Sequence, residues 1–414
     1  MVIILYTTLA SKKKKGGGPM RSRSVHTLLI DDTDAAAKEL AGRLQDGFAL
    51  GKQSVGILYT YSDMEVAELA QALQAIVPFP VIGCTCIASM DNGGFMDMAA
   101  TLTVLTADDC TFAAEVSASI TPENVQAEID STYRRVTEAL GSAPGLLFVL
   151  PPYSLDIMLD YYPERFNAIA PGVPVVGGLP SYNGTGDVNA TLAGGQATPD
   201  RMVVLGIGGN IRPVFSVQNV TGVDVERKRK VTSAKDNVVY TVNGEPFTDY
   251  LRAIGLPVEE LTQGNTTVTF VSNPLILESS EGGGYAFART LHAIDLADGS
   301  GTAIGQVPEG ATLAVCSLQG EQIVQAAQDG AQALVQLMQG EARDGYQFST
   351  VMAISCIGRH LLLIPDNARE TAKLMEGLPP GLTLTGFYSY GEIGPQGKQQ
   401  RNFAHNESLV LCAF

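Results

Sequence analysis

The residues of this chain that could do chemistry fall in three stretches of its C-terminal part. SCIGRH, Ser355 to His360, sets a thiol, a guanidinium and an imidazole around a glycine directly after an apolar strand candidate. GFYSYGEIGP, Gly386 to Pro395, follows a second such strand and places Phe387, Tyr388 and Tyr390 beside the carboxylate of Glu392. RNFAHNESL then offers His405 and Asn406 just before the last strand candidate. Aromatic rings give rigid apolar contact, with a polar tip on each tyrosine. Arg359 has two uses open to it, an ion pair with Glu392 or a planar donor fork for a ligand carboxylate. Small-molecule pockets are built this way, mostly apolar with a few placed polar groups. The expected ligand-binding set is therefore Cys356, Arg359, Gly386, Phe387, Tyr388, Tyr390, Glu392, His405 and Asn406.

Other chemistries lack their residues. The four histidines, His26, His292, His360 and His405, form no HxxxH or HExxH pattern, and GxSxG is absent. There is no GxxxxGK[ST] loop, and GIGGN at 206–210 lacks the form and the helix context of a dinucleotide fingerprint. Cys84 and Cys86 point to one side of a strand, but zinc would need two further ligands in a recognisable spacing. No catalytic residue and no metal ligand is assigned, which leaves an enzyme of unknown type as the weakest alternative.

The elements that must position these residues repeat. SVGILYTYSDMEVAELAQALQAIVPFPVIGCTCIASM, from Ser54, is an apolar strand, a polar turn, a helix with Val66, Leu69, Leu73 and Ile76 on one face, a second strand, and then Gly83. GLLFVLPPYSLDIMLDYYPERFNAIAPGVPVVGG, from Gly145, has the same order of events, with Pro163 predicting a kink or a late helix start. The third copy begins at Ser349 and reaches Gly386. Each is followed by another strand, at 98–105, 201–208 and 407–414. Further helices are predicted over 34–48, over 122–140 with Thr121 as N-cap, and over 320–339. The fold class is α/β: mixed sheets built from repeated strand-helix-strand-loop-strand units, helices packed on the sheet faces, in two domains. The glycines Gly83, Gly177 and Gly386 are expected at equivalent strand ends bordering crevices.

Composition sets the bounds. A chain of 414 residues with 45% hydrophobic residues is long enough for two or three cores. A net charge of −16 and a pI of about 4.7 argue against nucleic acid as a partner, despite Lys12–Lys15 and the ERKRK run from Glu226. Six cysteines without a CxxC pair fit a reducing compartment, so the protein reads as cytoplasmic, with no membrane partner. Residues 1–20 pair an apolar run with a basic, glycine-rich spacer, the reverse of a secretory signal, and read as a non-native or disordered segment. A boundary falls within 220–237, where charge is dense and hydrophobic periodicity lapses, and Asn243-Gly244 signals a hairpin just beyond it.

SCIGRH, GFYSYGEIGP and FAHNESLVL, in that order, resemble the C-terminal part of FIST proteins (F-box and intracellular signal transduction proteins). VNGEPFTDYLRAIGL is similar to the start of that C-terminal domain, and VIGCTCIASM resembles the N-terminal one. The resemblance implies a FIST N-terminal domain over 25–225 and a FIST C-terminal domain over 226–414. It implies a free-standing bacterial sensor that binds a small ligand, an amino acid or related carboxylate, and signals through a separate partner such as a histidine kinase. Because some family members are haem proteins that sense nitric oxide, haem is the alternative cofactor, with His360 and His405 as candidate ligands. Gln396–Gln400 replace the glycine-rich stretch usual after the proline, and the loop at Cys84 lacks the common Gly-Glu ending.

Overall fold

A computed structural model describes residues 20–183, 189–219, 227–261, 264–279, 285–342, 345–396 and 400–414. The expectation for residues 1–20 and the Lys12–Lys15 run lie outside these, apart from Met20.

One unit, strand-helix-strand-helix-strand-hairpin-strand, occurs three times. The first comprises β1 (Arg21–Thr27), α1 (Thr33–Gln45), β2 (Gln53–Tyr61), α2 (Val66–Ile76), β3 (Val81–Cys86), the hairpin β4 (Ala88–Asp91) and β5 (Gly94–Asp97), and β6 (Ala100–Ala107). The second comprises β7 (Cys110–Ser119), α3 (Val125–Leu140), β8 (Leu146–Leu150), α4 (Tyr161–Ile169), β9 (Val175–Gly178), the hairpin β10 (Thr191–Ala193) and β11 (Gln196–Thr198), and β12 (Arg201–Gly209). The third opens with β13 (Val214–Asn219) and is then interrupted by an insert. The insert contains β14 (Arg229–Lys235), β15 (Val238–Val242), β16 (Glu245–Pro246), α5 (Phe247–Ala253), α6 (Thr266–Ser272), β17 (Leu275–Ser279), β18 (Tyr285–Arg289), β19 (Leu291–Asp295), β20 (Ser300–Ala303) and β21 (Thr312–Val315). The unit then resumes with α7 (Gly320–Ala342), β22 (Thr350–Cys356), α8 (Ile357–Leu362), α9 (Ala368–Gly377), β23 (Thr383–Ser389), the hairpin β24 (Glu392–Gln396) and β25 (Arg401–His405), and β26 (Ser408–Ala413).

Each unit lays its strands down in the same order: β1-β6-β2-β3, β7-β12-β8-β9 and β13-β26-β22-β23. Only the last pair of each is parallel, since only that pair is joined by a helical crossover. The hairpins leave their own sheets. β10–β11 extends the first sheet beside β3, β24–β25 the second beside β9, and β4–β5 the third beside β23. This cyclic exchange ties the three sheets around a shared interior.

Strand alternation sorts the side chains between that interior and the helices. Leu146, Phe148 and Leu150 of β8 join Val55, Ile57 and Tyr59 of β2 and Met352 and Ile354 of β22 in the central core. Their neighbours Leu147 and Val149, Leu58, and Val351 and Ala353 face the helix layers. Cys84, Cys86, Cys110 and Cys412 also pack into the central core, and all six cysteines are buried and unbridged. Burial holds the Cys84 and Cys412 thiols well above their ordinary value, so they behave as small apolar groups.

The three glycines are equivalent, though not as turn residues. Gly83 lies opposite Leu58, Gly177 opposite Val149 and Gly386 opposite Ala353, each within the second strand of a parallel pair. A Cβ there would sit 1.7, 1.8 and 1.9 Å from the carbonyl oxygen of its partner. Close approach of two backbones, rather than a reversal of direction, is what requires glycine.

The predicted helices are found with shifted ends. α3 begins at Val125 instead of 122, because Asn124 Oδ1 accepts the Thr121 N–H at 2.7 Å and closes a turn ahead of the helix. Pro163 falls in the first turn of α4, the late start its ring allows. Asn243 and Gly244, both at positive φ (51° and 84°), form the expected two-residue hairpin between β15 and β16. The insert builds a fourth sheet with its own core of Val231, Phe247, Leu251, Phe270, Leu277 and Leu313. Among the described residues no helix is long and apolar enough to cross a membrane.

Candidate functional site

The insert meets the three-unit body along a seam, where a cavity of about 330 Å³ opens. Its body wall consists of residues 153–155 and 157–160 between β8 and α4, Leu179 and Tyr182 after β9, Tyr390 before β24, and Ala404 and Asn406 beside the β25–β26 turn. Its insert wall is Asn237, Thr267, Arg289, His292 and residues 303–305. The 153–160 wall is a consequence of sequence. Pro151 and Pro152 supply no N–H after β8, and the chain stays irregular until Tyr161. The matching link in the first unit, between β2 and α2, spans only residues 62–65.

Tyrosines line one side. The Tyr390 ring lies 5.2 Å from that of Tyr153 and 5.7 Å from that of Tyr182, and its hydroxyl donates to the Tyr182 carbonyl at 2.8 Å. Burial raises the Tyr153 and Tyr390 phenols above their ordinary range, so both remain neutral donors. At the base, Arg289 locks the insert to the body. Its Nη2 donates to Asp160 Oδ1 at 3.0 Å, its Nε to the Gln306 carbonyl, and its Nη1 to the carbonyls of Ala288 and Ala404. Asp160 Oδ2 accepts the Gln306 N–H at 3.2 Å. Gly305, at φ 101°, packs against this pair, and a Cβ there would stand 2.8 Å from Arg289 Nε and 2.9 Å from Asp160 Oδ2. Asn406 is 6% exposed, and its side-chain amide makes no hydrogen bond to any described residue. A buried polar group is normally paired, so an idle amide on a cavity wall marks a place for a partner.

The structure disperses the residues singled out in the sequence. Tyr390 and Asn406 reach the cavity. Gly386, Phe387 and Tyr388 do not, because β23 continues through them to Ser389 and alternation sends them to opposite faces. Phe387 stacks on Tyr59 in the central core with centroids 4.9 Å apart, and Tyr388 faces Phe95 and His360 on the helix side. Arg359 pairs with Glu370 of α9, not with Glu392. Its Nε and Nη2 donate to Glu370 Oε1 at 2.8 and 2.6 Å, while Ser355 holds the second oxygen at 2.9 Å. Arg359 is fully buried and is not among the residues that line the cavity.

Glu392 accepts from the Ser408 hydroxyl at 2.7 Å, and Glu407 from Thr290 at 2.9 Å, leaving one oxygen of each without a partner among the described residues. Burial, with the Glu407 charge close by, raises Glu392 well above the carboxylate range, and burial raises Glu407 to about 7. Cys356 lies near both, and burial followed by these two carboxylates keeps its thiol protonated. The candidate haem ligands do not line the cavity. His405 Nε2 lies 3.0 Å from the Gly394 carbonyl, and burial depresses its pKa to about 4. His360 Nε2 is 3.2 Å from the Asn367 amide, and its ring stacks on Phe95. These surroundings do not fit a haem held through either ring, and the histidine that lines the cavity is His292.

The site residues not found from sequence are Asp160, Arg289, His292 and Gly305. Three of them belong to the insert, whose strands show no repeat. The one available signal was the long proline-opened link before α4.

The FIST N domain matches residues 54–245, and the FIST C domain matches residues 246–395. This chain belongs to the FIST family. FIST domains are associated with signal transduction and the sensing of small ligands. The FIST C match closes at Pro395, so Asn406 and the β25–β26 turn fall just beyond it. No curated protein matches the sequence. Among solved structures, the chain is similar to cyanuric acid hydrolase from A. caulinodans at 10% identity and a TM-score of 0.33, covering 95% of this chain and 99% of that one. It is similar to PurLQS from Thermotoga maritima at 7% identity and a TM-score of 0.20, covering 95% and 71%. Likenesses this distant assign neither fold nor activity to a FIST chain.

Proposed function

We propose that this protein is a small-ligand sensor whose ligand occupies the seam cavity between the insert and the body, and that the bound state is read by a separate signalling protein, such as a histidine kinase. The observation that carries the reading is the idle, nine-tenths-buried amide of Asn406 on the wall of a tyrosine-lined cavity. A volume of about 330 Å³ lies within the range of small-molecule pockets. A ligand held there touches both walls at once, so its binding energy acts on the contact between them, which is the physical requirement for a ligand to shift a conformational equilibrium.

Mass spectrometry of the molecules released from freshly purified protein tests this. One small molecule per chain is expected, and it should be absent from Thr267→Trp, which fills the cavity from its insert wall, where the half-buried Thr267 of α6 stands. If the same molecule is retained by Thr267→Trp, or if the chain is empty and no small molecule from a metabolite library raises its melting temperature, the reading is wrong.

A further inference from the structure

We infer that Glu407 is a proton-operated latch between the body and the insert: its carboxyl holds the seam closed while protonated and lets it part when ionised. The latch acts on the contact between the two bodies, whatever the cavity holds.

Glu407 stands where body and insert meet. It follows Asn406 in the β25–β26 turn at φ 52°, a left-handed conformation uncommon for a residue with a side chain, and it is 2% exposed. Across the seam, the buried Thr290 of the insert donates its hydroxyl to Glu407 Oε1 at 2.9 Å. Thr290 directly follows Arg289, whose ion pair with Asp160 is a second polar tie between the same two bodies. From the body side, α8 presents Gly358, where a Cβ would stand 2.3 and 2.4 Å from the two Glu407 oxygens. The carboxyl thus fills a space that only glycine leaves open, and its Oε2 has no partner among the described residues.

The groups around it leave Glu407 to titrate. Arg359 of α8 is committed to Glu370 of α9 at 2.6 Å, and Arg289 to Asp160 at 3.0 Å. Burial keeps Cys356, at the end of β22, a thiol, and keeps Glu392 of β24 protonated well above the carboxylate range. His405 of β25, depressed to about 4, is neutral at higher pH. Burial raises Glu407 itself from an ordinary 4.5 to about 7, outweighing the Thr290 hydroxyl and the Arg359 charge, which favour the ionised form. Parting the seam withdraws Thr290 and admits water, which returns the carboxyl toward 4.5. The closed seam therefore binds the proton more tightly than the open one. Its advantage is fully present below 4.5 and lost as pH rises through 7.

Cys316 provides the readout, because it is buried between Ile276 and Ala288 of the insert and Ile323 and Leu363 of the body. In the full-length protein its labelling by iodoacetamide is followed by peptide mass spectrometry and divided by the rate for free glutathione at the same pH. This normalised rate should rise about tenfold from pH 6 to pH 8 and level off above 7. Glu407→Gln, which cannot ionise, should remove the rise, and Glu392→Gln should keep it. Thr290→Val lacks the hydroxyl that favours the ionised form, so the rise should continue to higher pH before it levels off. A flat normalised rate in the unaltered protein overturns the latch without reliance on any variant folding. So does a rise that persists in Glu407→Gln, one that Glu392→Gln abolishes, or a plateau that Thr290→Val leaves in place.

Discussion

Arg359 and Glu370, exposed to solvent by 0% and 1%, form an ion pair that belongs to folding. Removing one partner of such a pair strands a buried charge, so Arg359→Met should lower the unfolding free energy by about 3–5 kcal/mol in urea titration, with ligand retention unchanged in the folded fraction. Sequence reading identified Arg359 as a paired or ligand-holding cation and named Glu392 as the partner. It could not rank Glu370 above Glu392, because which carboxylate reaches Arg359 is decided by how α9 packs over β22. Glu407, the non-glycine residue at φ 52° in the β25–β26 turn, sets a pH dependence. In the folded chain it keeps its proton up to about pH 7, against an ordinary 4.5. The stability this contributes is fully present below 4.5 and lost as pH rises through 7. His405, depressed from 6.5 to about 4, contributes in the opposite sense: its term is present above 6.5 and lost as pH falls through 4. Glu407→Gln isolates the first effect. From pH 5 to pH 8 the parent should lose stability relative to Glu407→Gln, by about 3 kcal/mol at full effect, as read by melts across that range.

At the scale of elements, the second strands of the parallel pairs are where a single methyl group matters most. Gly83→Ala, Gly177→Ala and Gly386→Ala each drive a Cβ to within 2 Å of a neighbouring carbonyl oxygen. Each should cost about 3 kcal/mol or more, at the upper end of overpacking. Gly340, in the exposed last turns of α7, has no atom within 4 Å of the same added group. Gly340→Ala should therefore stabilise the protein, by about 0.5–1 kcal/mol in the same denaturant titration. The repeat of these glycines was legible because strand, helix, strand and glycine recur at one spacing. Their role was misread, since a glycine ending an apolar run looks the same whether the chain turns there or presses against its neighbour. That misreading carried Phe387 and Tyr388 into a supposed loop. Beyond the strand's end the motif divides: Tyr390 reaches the cavity, while Glu392 is buried in β24.

The whole molecule depends on contacts that local patterns do not encode. Nothing in the sequence around Ala88, Thr191 or Glu392 states that each hairpin will join the sheet of another unit, because an edge strand pairs wherever backbone groups are open to it. The insert is similarly opaque: its short strands lack a repeat, and its own core makes it a separate folding surface set against the body. The cavity exists only because these two bodies meet, which is why Arg289 and Asp160 could not be matched from sequence across 129 positions. Gly305→Ala should loosen this seam through both its strained φ and its collision with the ion pair. It should release the bound molecule with less effect on the melting of the three-unit body than Gly386→Ala has. The central claim is that one ligand bridges body and insert, and hydrogen–deuterium exchange on the as-purified protein against the same protein stripped of its bound molecule tests it most directly. Slower exchange in the as-purified form is predicted at residues 153–160 and at 289–292 and 303–306 together. Protection of only one wall, or of neither, would contradict it.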